Sequence, residues 1–283
     1  RKAGTRMTIT ARGLSIVRGG INVISDVRFS VSSGAFLVVL GRNGAGKSSL
    51  LHALSGELQP AGGEIAFDGV NIRQWSPVTL AMRRSFLAQQ TDCRLPFLAG
   101  EIVHLGAEAA GQRGVGARRL VASALEEAGV EHLAERAMWQ LSGGEQQRVH
   151  WARILAQVNG KPQGHCLFLD EPISSLDIAH QHELLQKAAN LARRGATIIA
   201  VLHDLNLASR YADQLMLLHE TRLLALGPPS EVLTSARLRE VFGITTHVMP
   251  HPIDGTPLIL VGPTTFGTEI RTDSAQTALQ TLC

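Results

Sequence analysis

The chain has 283 residues, a length that fits one domain with a sizeable insertion or two small lobes. Its 45% hydrophobic and 18% charged residues exclude an intrinsically disordered chain, and a net charge of +3 without a long basic run does not indicate a nucleic-acid partner. No stretch reaches the length of a membrane span, and the spacing of Cys93, Cys166 and Cys283 predicts neither disulfides nor a zinc site.

Strand patterns dominate the first third of the chain, in "TITARGLSIV", "VRFSVSSGAFLVVL" and "GEIAFDG". The run 35–40, "AFLVVL", is apolar at every position, which is typical of a parallel strand buried on both faces. The segment "SLLHALSG" that follows predicts an amphipathic helix. Later apolar strands are expected in "HCLFLD", "ATIIAVLH" and "DQLMLLHE", and helical patterns after the first two indicate βαβ units. Cys166, inside the first of these, is expected to be a buried, inert thiol.

Between Leu98 and Gln157 the apolar residues recur at helical spacing, in "EIVHLGAE", "ARRLVASALEEAGV" and "EQQRVHWARILAQ". This segment predicts a helical subdomain inserted into an α/β core. The turn-rich run 158–165 then leads back to the sheet. Beyond Gly227, "PPSEVLTSARLREVFG" predicts two short helices, and the polar tail from Val261 is expected to be loosely ordered.

A phosphate-binding loop is predicted between the apolar strand and the first helix. The run "GRNGAGKSS" matches G-x-x-x-x-G-K-[ST] in the strand–loop–helix context that the motif requires. Backbone N–H groups and the helix N-terminus would surround the phosphates, Lys47 would reach the β- and γ-phosphates, and Ser48 would ligate Mg²⁺. The candidate ATP-binding residues are Gly41, Arg42, Asn43, Gly44, Ala45, Gly46, Lys47, Ser48 and Ser49.

Two adjacent carboxylates, Asp170 and Glu171, end the strand "CLFLD". They would lie at the carboxyl edge of a parallel sheet, where ligands bind. Asp170 can hold Mg²⁺, and Glu171 can act as the general base for an attacking water. Solvated turn acids are the alternative, and the phosphate loop favours the catalytic interpretation.

A second glycine-rich loop, "LSGGEQQRV", runs from Leu141 to Val149. Ser142 and Glu145 form the S-x-x-E pattern of a capping box, so a well-capped helix start explains part of the motif. Gly143 and Gly144 weaken such a helix start by roughly 1 kcal/mol each relative to Ala. They make sense where the backbone approaches an anion closely.

Taken together and in order, these motifs resemble the ATPase subunit of an ABC transporter, from Met7 to Val261. The phosphate loop corresponds to Walker A, Gln89 to the Q-loop, and "LSGGEQQRV" to the signature. "LFLDEP" corresponds to Walker B, Ser174 to Asp177 to the D-loop, and His203 to the switch histidine. The implied fold is an α/β P-loop NTPase core with a mixed sheet, an N-terminal antiparallel β subdomain and an inserted α-helical subdomain. The implied units are a nucleotide-binding core of residues 7–90 and 159–243, a helical subdomain of 91–158, and a C-terminal extension of 244–283.

The resemblance also implies roles for residues that single motifs do not identify. Two copies of the chain would stack head to tail as a homodimer with two ATP between them. Ser142, Gly143, Gly144 and Asp177 of one copy would then act in trans on the ATP held by the other. His203 would contact the γ-phosphate, and Gln89 would contact the attacking water. Mg²⁺ would be held by Ser48, Gln89 and Asp170.

The wording "LPFLAGEIVHLG" and "VLHDLNLASRYADQLMLLHETRLLALGPPSEVLT" resembles the iron-chelate and vitamin B12 importer branch, and "HVMPHPIDGTPLILV" resembles haem (hemin) import ATPases. The implied partners are two copies of a multi-span permease and, indirectly, a periplasmic substrate-binding protein, with the chain peripheral on the cytoplasmic face of the inner membrane. A siderophore or vitamin B12 importer is the alternative. A soluble ABC ATPase acting on ribosomes or DNA is a rival from another class.

The chain departs from the family at the adenine position, because Leu14 to Gly20 contain no aromatic residue. Arg18 could stack its guanidinium on the base, and a solvated turn arginine is the alternative. No direct haem binding is expected, because cargo would pass through the permease. His180 and His182, two residues apart on a predicted helix, do not share a face and so do not predict a metal pair.

Overall fold

The computed structural model describes residues 8–89, 96–158 and 161–262. Within these ranges no helix is both long and apolar enough to cross a membrane. Cys93, Cys283, most of the tail after Val261 and the predicted domain boundaries near residues 90 and 159 lie outside the described residues. The boundaries therefore stay predictions.

The strands form a six-stranded mixed sheet, a four-stranded antiparallel sheet and a two-stranded hairpin. The six-stranded sheet has the order β10-β9-β3-β8-β7-β6, in which only β10 runs antiparallel to its neighbour. The antiparallel sheet has the order β2-β1-β4-β5, and β11 pairs with β12. The strands are β1 (Ile9–Arg18), β2 (Ile21–Val31), β3 (Phe36–Leu40), β4 (Gly62–Phe67), β5 (Val70–Asn71), β6 (Arg84–Leu87), β7 (Cys166–Asp170), β8 (Thr197–Val201), β9 (Gln214–His219), β10 (Arg222–Gly227), β11 (Thr246–Pro250) and β12 (Pro257–Val261).

Three helices, α3 to α5, lie between β6 and β7, which confirms the predicted helical insertion. The helix after the phosphate loop, the helices after β7 and β8, and the two short helices beyond Gly227 also form as predicted. The helices are α1 (Lys47–Leu54), α2 (Pro77–Ala81), α3 (Ala99–Ala109), α4 (Gly114–Glu127), α5 (Gly143–Val158), α6 (Ile178–Arg193), α7 (Leu205–Tyr211), α8 (Pro229–Val232) and α9 (Ser235–Phe242).

The central strand β3 is buried on both faces, as its unbroken apolar sequence predicts. Phe36, Val38 and Leu40 pack into the core that the helical insertion completes. Leu37 and Val39 pack into a second core, shared with α1 and the antiparallel sheet. The mixed sheet therefore joins two hydrophobic layers, and the fold is the α/β fold that the sequence predicts.

Cys166 is fully buried on β7, and burial raises the pKa of its thiol. A thiol that stays protonated is a poor nucleophile. The predicted burial of Cys166 is therefore confirmed, and the raised pKa agrees with an inert thiol.

The strands β5, β6, β10, β11 and β12 were not predicted from the sequence. β6 has only four residues, too few for a periodicity to show. The hairpin β11–β12 is held by tertiary contacts, because Ile259 exchanges two hydrogen bonds with the side chain of Asn206 on α7, at 2.8 and 3.2 Å. Ser209 Oγ adds a third, to the carbonyl of Pro257 at 2.7 Å.

Two buried histidines make stability depend on pH. His165 is 4% exposed with Nε2 2.8 Å from Ser85 Oγ, and burial, with Arg83 nearby, lowers its pKa to about 4. His150, also buried, has its pKa lowered to about 4 by burial and by Arg153. Because an unfolded histidine titrates near pH 6.5, the unfolded state binds more protons between about pH 6.5 and pH 4. Stability is therefore lost as the pH falls through this window.

We predict that His165→Gln, which keeps a hydrogen-bonding partner for Ser85, removes part of this acid sensitivity. By pH 4.5 the wild type should lose about 2.5 kcal/mol of unfolding free energy through His165 alone. Urea unfolding at pH 7 and pH 4.5 measures the loss in each protein. The exposed His132→Gln is the matched control, and an equal loss in all three proteins would contradict the prediction.

Candidate nucleotide and hydrolysis site

The phosphate loop spans residues 41–46, between the end of β3 and the start of α1 at Lys47. Gly46 caps α1 with φ of 87°, a conformation that favours glycine. A Cβ at this position would lie 2.5 Å from the carbonyl oxygen of Val23 on β2. The glycine therefore lets the loop close against the antiparallel sheet while the first N–H groups of the helix stay available for an anion.

Lys47 is 6% exposed, and its ammonium is held by carbonyl groups of the loop itself. Nζ donates to the carbonyl oxygens of Gly41 at 2.9 Å and Arg42 at 3.0 Å. Burial lowers the pKa of Lys47, and the charges of Glu171 and Asp170 oppose that shift. A buried cation with only neutral acceptors is well suited to exchange them for phosphate oxygens.

Ser48, on α1, and Asp170, at the end of β7, meet across 122 residues of sequence, and Ser48 Oγ donates to Asp170 Oδ1 at 3.1 Å. Burial raises the pKa of Asp170, and the hydrogen bond from Ser48 opposes that shift. A hydroxyl and one carboxylate fit a Mg²⁺ site, because Mg²⁺ takes few protein oxygens and completes its shell with phosphates and waters. The described residues contain no cluster of three or more His, Cys, Asp or Glu side chains placed for a metal ion.

Both carboxylate oxygens of Glu171 have a partner from another strand end. Gln89 Nε2, after β6, donates to Oε2 at 2.7 Å, and His203 Nε2, after β8, lies 2.5 Å from Oε1. The Glu171 side chain is 16% exposed, and its backbone has φ of 48°. A left-handed backbone at a non-glycine residue is strained, and such strain persists where surrounding contacts hold it. The three residues predicted to act in hydrolysis therefore lie together.

A cleft of about 430 Å³ connects the phosphate loop with Glu171. Arg18, proposed for adenine, is at the end of β1 and is not among the described residues that line it, so its role stays a prediction. Val23 on β2 does line the cleft, and no sequence signal pointed to it. The lining residues are Val23, Asn43, Gly44, Gly46, Lys47, Ser48, Ser49, Gln89, Glu171 and His203.

The signature residues lie outside this cleft. Ser142 and Gly143 are exposed at the start of α5, and Gly144 is partly exposed. The capping box forms as predicted, since the backbone N–H and hydroxyl of Ser142 each donate to Glu145 Oε2 at 2.8 Å. These bonds lower the pKa of Glu145, which keeps a negative charge at the helix N-terminus.

The structure gives a reason for glycine at position 144 that could not be seen in the sequence. A Cβ on Gly144 would lie 2.9 Å from the carbonyl oxygen of Ser175 in the same chain. The glycine therefore allows the segment after β7 to pack on the first turn of α5. Asp177, the other residue predicted to act in trans, is exposed and caps α6 by accepting from the His180 N–H at 2.9 Å.

Comparison with known proteins gives concordant matches. Residues 24–174, more than half of the chain, match the family model "ABC transporter". The chain is 46% identical over 254 residues to the hemin import ATP-binding protein HmuV of Pseudomonas entomophila, covering 89% of this chain and 99% of that protein. It is 45% identical over 260 residues to the HmuV protein of Bordetella pertussis, covering 90% of this chain and 99% of that protein.

Solved structures match the fold. An inward-facing transporter described as of the metal-chelate ABC type superposes with a TM-score of 0.74 at 23% identity, covering 91% of this chain and 98% of that one. A nucleotide-free ATP-binding cassette from an ABC transporter gives a TM-score of 0.67 at 22% identity, covering 84% and 95%.

The left-handed backbone at Glu171 predicts that glycine is tolerated better than alanine at this position. Glu171→Gly and Glu171→Ala both lose the bonds to Gln89 and His203, but only glycine adopts the left-handed backbone without steric cost. We expect the glycine variant to be more stable than the alanine variant by about 1 kcal/mol. Urea unfolding of the two variants at neutral pH measures the difference, and equal stabilities would show that the backbone at this position carries no strain.

Proposed function

The chain belongs to the ABC transporter family, and we propose that it is the ATP-hydrolysing subunit of an importer that powers hemin uptake. The family establishes ATP binding and hydrolysis in a transporter. Hemin as cargo is inferred from the curated relatives, which align with this chain over nearly their whole length. The ATPase site does not contact the cargo, so the identity of the cargo is tested separately from hydrolysis.

The observation that carries the hydrolytic proposal is the pair of contacts to Glu171. A carboxylate held between an amide and an imidazole, beside a phosphate loop, has the position of a general base for water. His203 would hold the γ-phosphate side of the site, and Gln89 would orient the water. Each carboxylate oxygen of Glu171 has a second lone pair, with which it can accept a proton from the water.

Lys47 would exchange the carbonyls of Gly41 and Arg42 for phosphate oxygens, and its positive charge would stabilise the charge of the transferred group. Ser48 and Asp170 supply two oxygens for Mg²⁺, with Gln89 as a further candidate ligand. The metal, when bound, would neutralise phosphate charge.

We infer that hydrolysis needs a second copy of the chain. Ser142, Gly143, Gly144 and Asp177 are the residues proposed to act in trans; they lie outside the cleft that holds the phosphate loop, and most of them are exposed. The first turn of α5 presents backbone N–H groups, which are suitable donors for a phosphate. The Ser142 hydroxyl, which donates to Glu145 within its own chain, would exchange that bond for a phosphate oxygen. A head-to-tail homodimer would place these donors over the ATP of the other copy and so complete two sites.

The proposal includes two copies of a multi-span permease and a periplasmic substrate-binding protein. The chain would be peripheral, on the cytoplasmic face of the inner membrane. ATP-driven closing and reopening of the dimer would then move the permease between its two access states.

The dimer is tested with Glu171→Gln. Glutamine keeps the shape of the side chain but cannot accept a proton, so we expect ATP binding to persist and hydrolysis to fall by at least about 100-fold. The variant should then accumulate as an ATP-dependent dimer, measured by size-exclusion chromatography with light scattering. Ser142→Arg is the matched control: it should bind ATP as a monomer but neither dimerise nor hydrolyse. Wild-type turnover in Glu171→Gln would exclude the assigned base.

The cargo is tested by uptake. A strain lacking this chain but keeping its permease should recover growth on hemin as the sole iron source when the wild-type chain is returned, and Glu171→Gln should not restore it. Labelled hemin, a ferric siderophore and vitamin B12 are compared in the same strain. Rescue by a siderophore or vitamin B12, with no rescue on hemin, would reassign the cargo and leave the ATPase assignment intact.

A further inference from the structure

The start of α5 and the segment from Pro172 to Gln181 form one tightly packed unit. Gln147 Nε2, buried, donates to the carbonyl of Pro172 at 3.0 Å, and the carbonyl of Ser175 lies against Gly144. Gln181 Nε2 in turn donates to the carbonyl of Leu176 at 2.9 Å and holds the loop from its other side. The two stretches proposed to act in trans are therefore fixed to each other within one chain.

Hydrogen bonds link three side chains of this unit, those of Asp177, His180 and Arg148. His180 Nδ1 lies 2.9 Å from each carboxylate oxygen of Asp177. Its other ring nitrogen, Nε2, lies 3.2 Å from Nη1 of Arg148 on α5. His180 is thus in contact with Asp177 on one side and with the signature helix on the other.

The partners determine where the imidazole proton lies. The Asp177 carboxylate accepts only, so Nδ1 must donate to it, and the Arg148 guanidinium donates only, so Nε2 must accept from it. Only a neutral ring with its proton on Nδ1 satisfies both bonds. Asp177 Oδ1 also accepts a hydrogen bond from the backbone N–H of His180 and so caps α6. One carboxylate therefore contacts both the start of the helix and the imidazole.

We propose that His180 is a positioning residue for hydrolysis: it fixes Asp177 against the signature helix through Arg148, so that both trans-acting segments reach the partner copy as one body. The inference rests on the proposed function, in which Asp177 and Ser142 act on the ATP of a second copy. His180 is not among the described residues that line the cleft of its own chain; it acts through Asp177 and Arg148.

The first test is spectroscopic and does not depend on the proposed function. In the full chain with ¹⁵N-labelled histidine at neutral pH, a long-range ¹H–¹⁵N spectrum reports the tautomer of each ring, and His180→Asn assigns the signal of His180. We expect a protonated Nδ1 and an unprotonated Nε2. A ring protonated on Nε2, alone or together with Nδ1, would overturn the proposed arrangement.

The second test separates the two halves of the contact. Asparagine places an amide near the position of Nδ1 and so can keep the bond to Asp177, whereas glutamine reaches the position of Nε2 and can keep the bond to Arg148. Because each variant retains only one bond, we expect both to lower kcat for ATP hydrolysis about five- to tenfold, with KM for ATP unchanged. His182→Gln, two residues along the same helix, is the matched control, since His182 contacts Tyr211 instead.

A third test measures kcat for Arg148→Gln alone and combined with His180→Gln. If His180 acts through Arg148, the double variant should be no slower than the slower single variant. Wild-type kcat in both His180 variants, together with an ATP-dependent dimer of Glu171→Gln, would overturn the positioning role and leave the proposed function standing. Absence of that dimer would instead count against the proposed function, whichever tautomer His180 adopts.

Discussion

Two hydrogen bonds to the carboxylate of Glu171 depend on the alignment of three parallel strands, and the rest of the site is arranged around them. Leu87 on β6 is in register with Leu169 on β7, so Gln89 and Glu171 each lie two residues beyond a paired position. Asp170 is in register with Val201 on β8, which brings His203 to the same edge. Both faces of this sheet pack into hydrophobic cores, so a shift of one residue would exchange side chains of different size between two close-packed layers. The hydrophobic core thus fixes the distances at Glu171.

The sequence predicted the parts of the site that are local in the chain. The phosphate loop, the strand "AFLVVL" and the carboxylates after β7 each combine a motif with its neighbouring element, and the structure confirms the elements. Gln89 and His203 carry no local signal, because an isolated Gln or His is usually a polar side chain exposed to solvent. They could be predicted only from the order of all the motifs, and it is the strand register that brings them together.

Other features could not be predicted because tertiary contacts produce them. The hairpin β11–β12 is held by Asn206 and Ser209 on α7, far from it in sequence. Val23 lines the cleft only because β2 passes beside the phosphate loop. For the two glycines of the signature, the sequence suggested one cause, the approach of an anion. The structure adds a second at Gly144, which is the close packing of Ser175.

That second cause changes what the signature segment requires. A loop that only bound an anion could move independently, but the start of α5 is packed against the segment that follows Glu171, and Gln147 and Arg148 bond to it. The surface that presents Ser142 and Asp177 is therefore built on the segment that follows Glu171. Gly144 allows close contact between these two segments, and the hydrogen bonds through His180 hold their orientation.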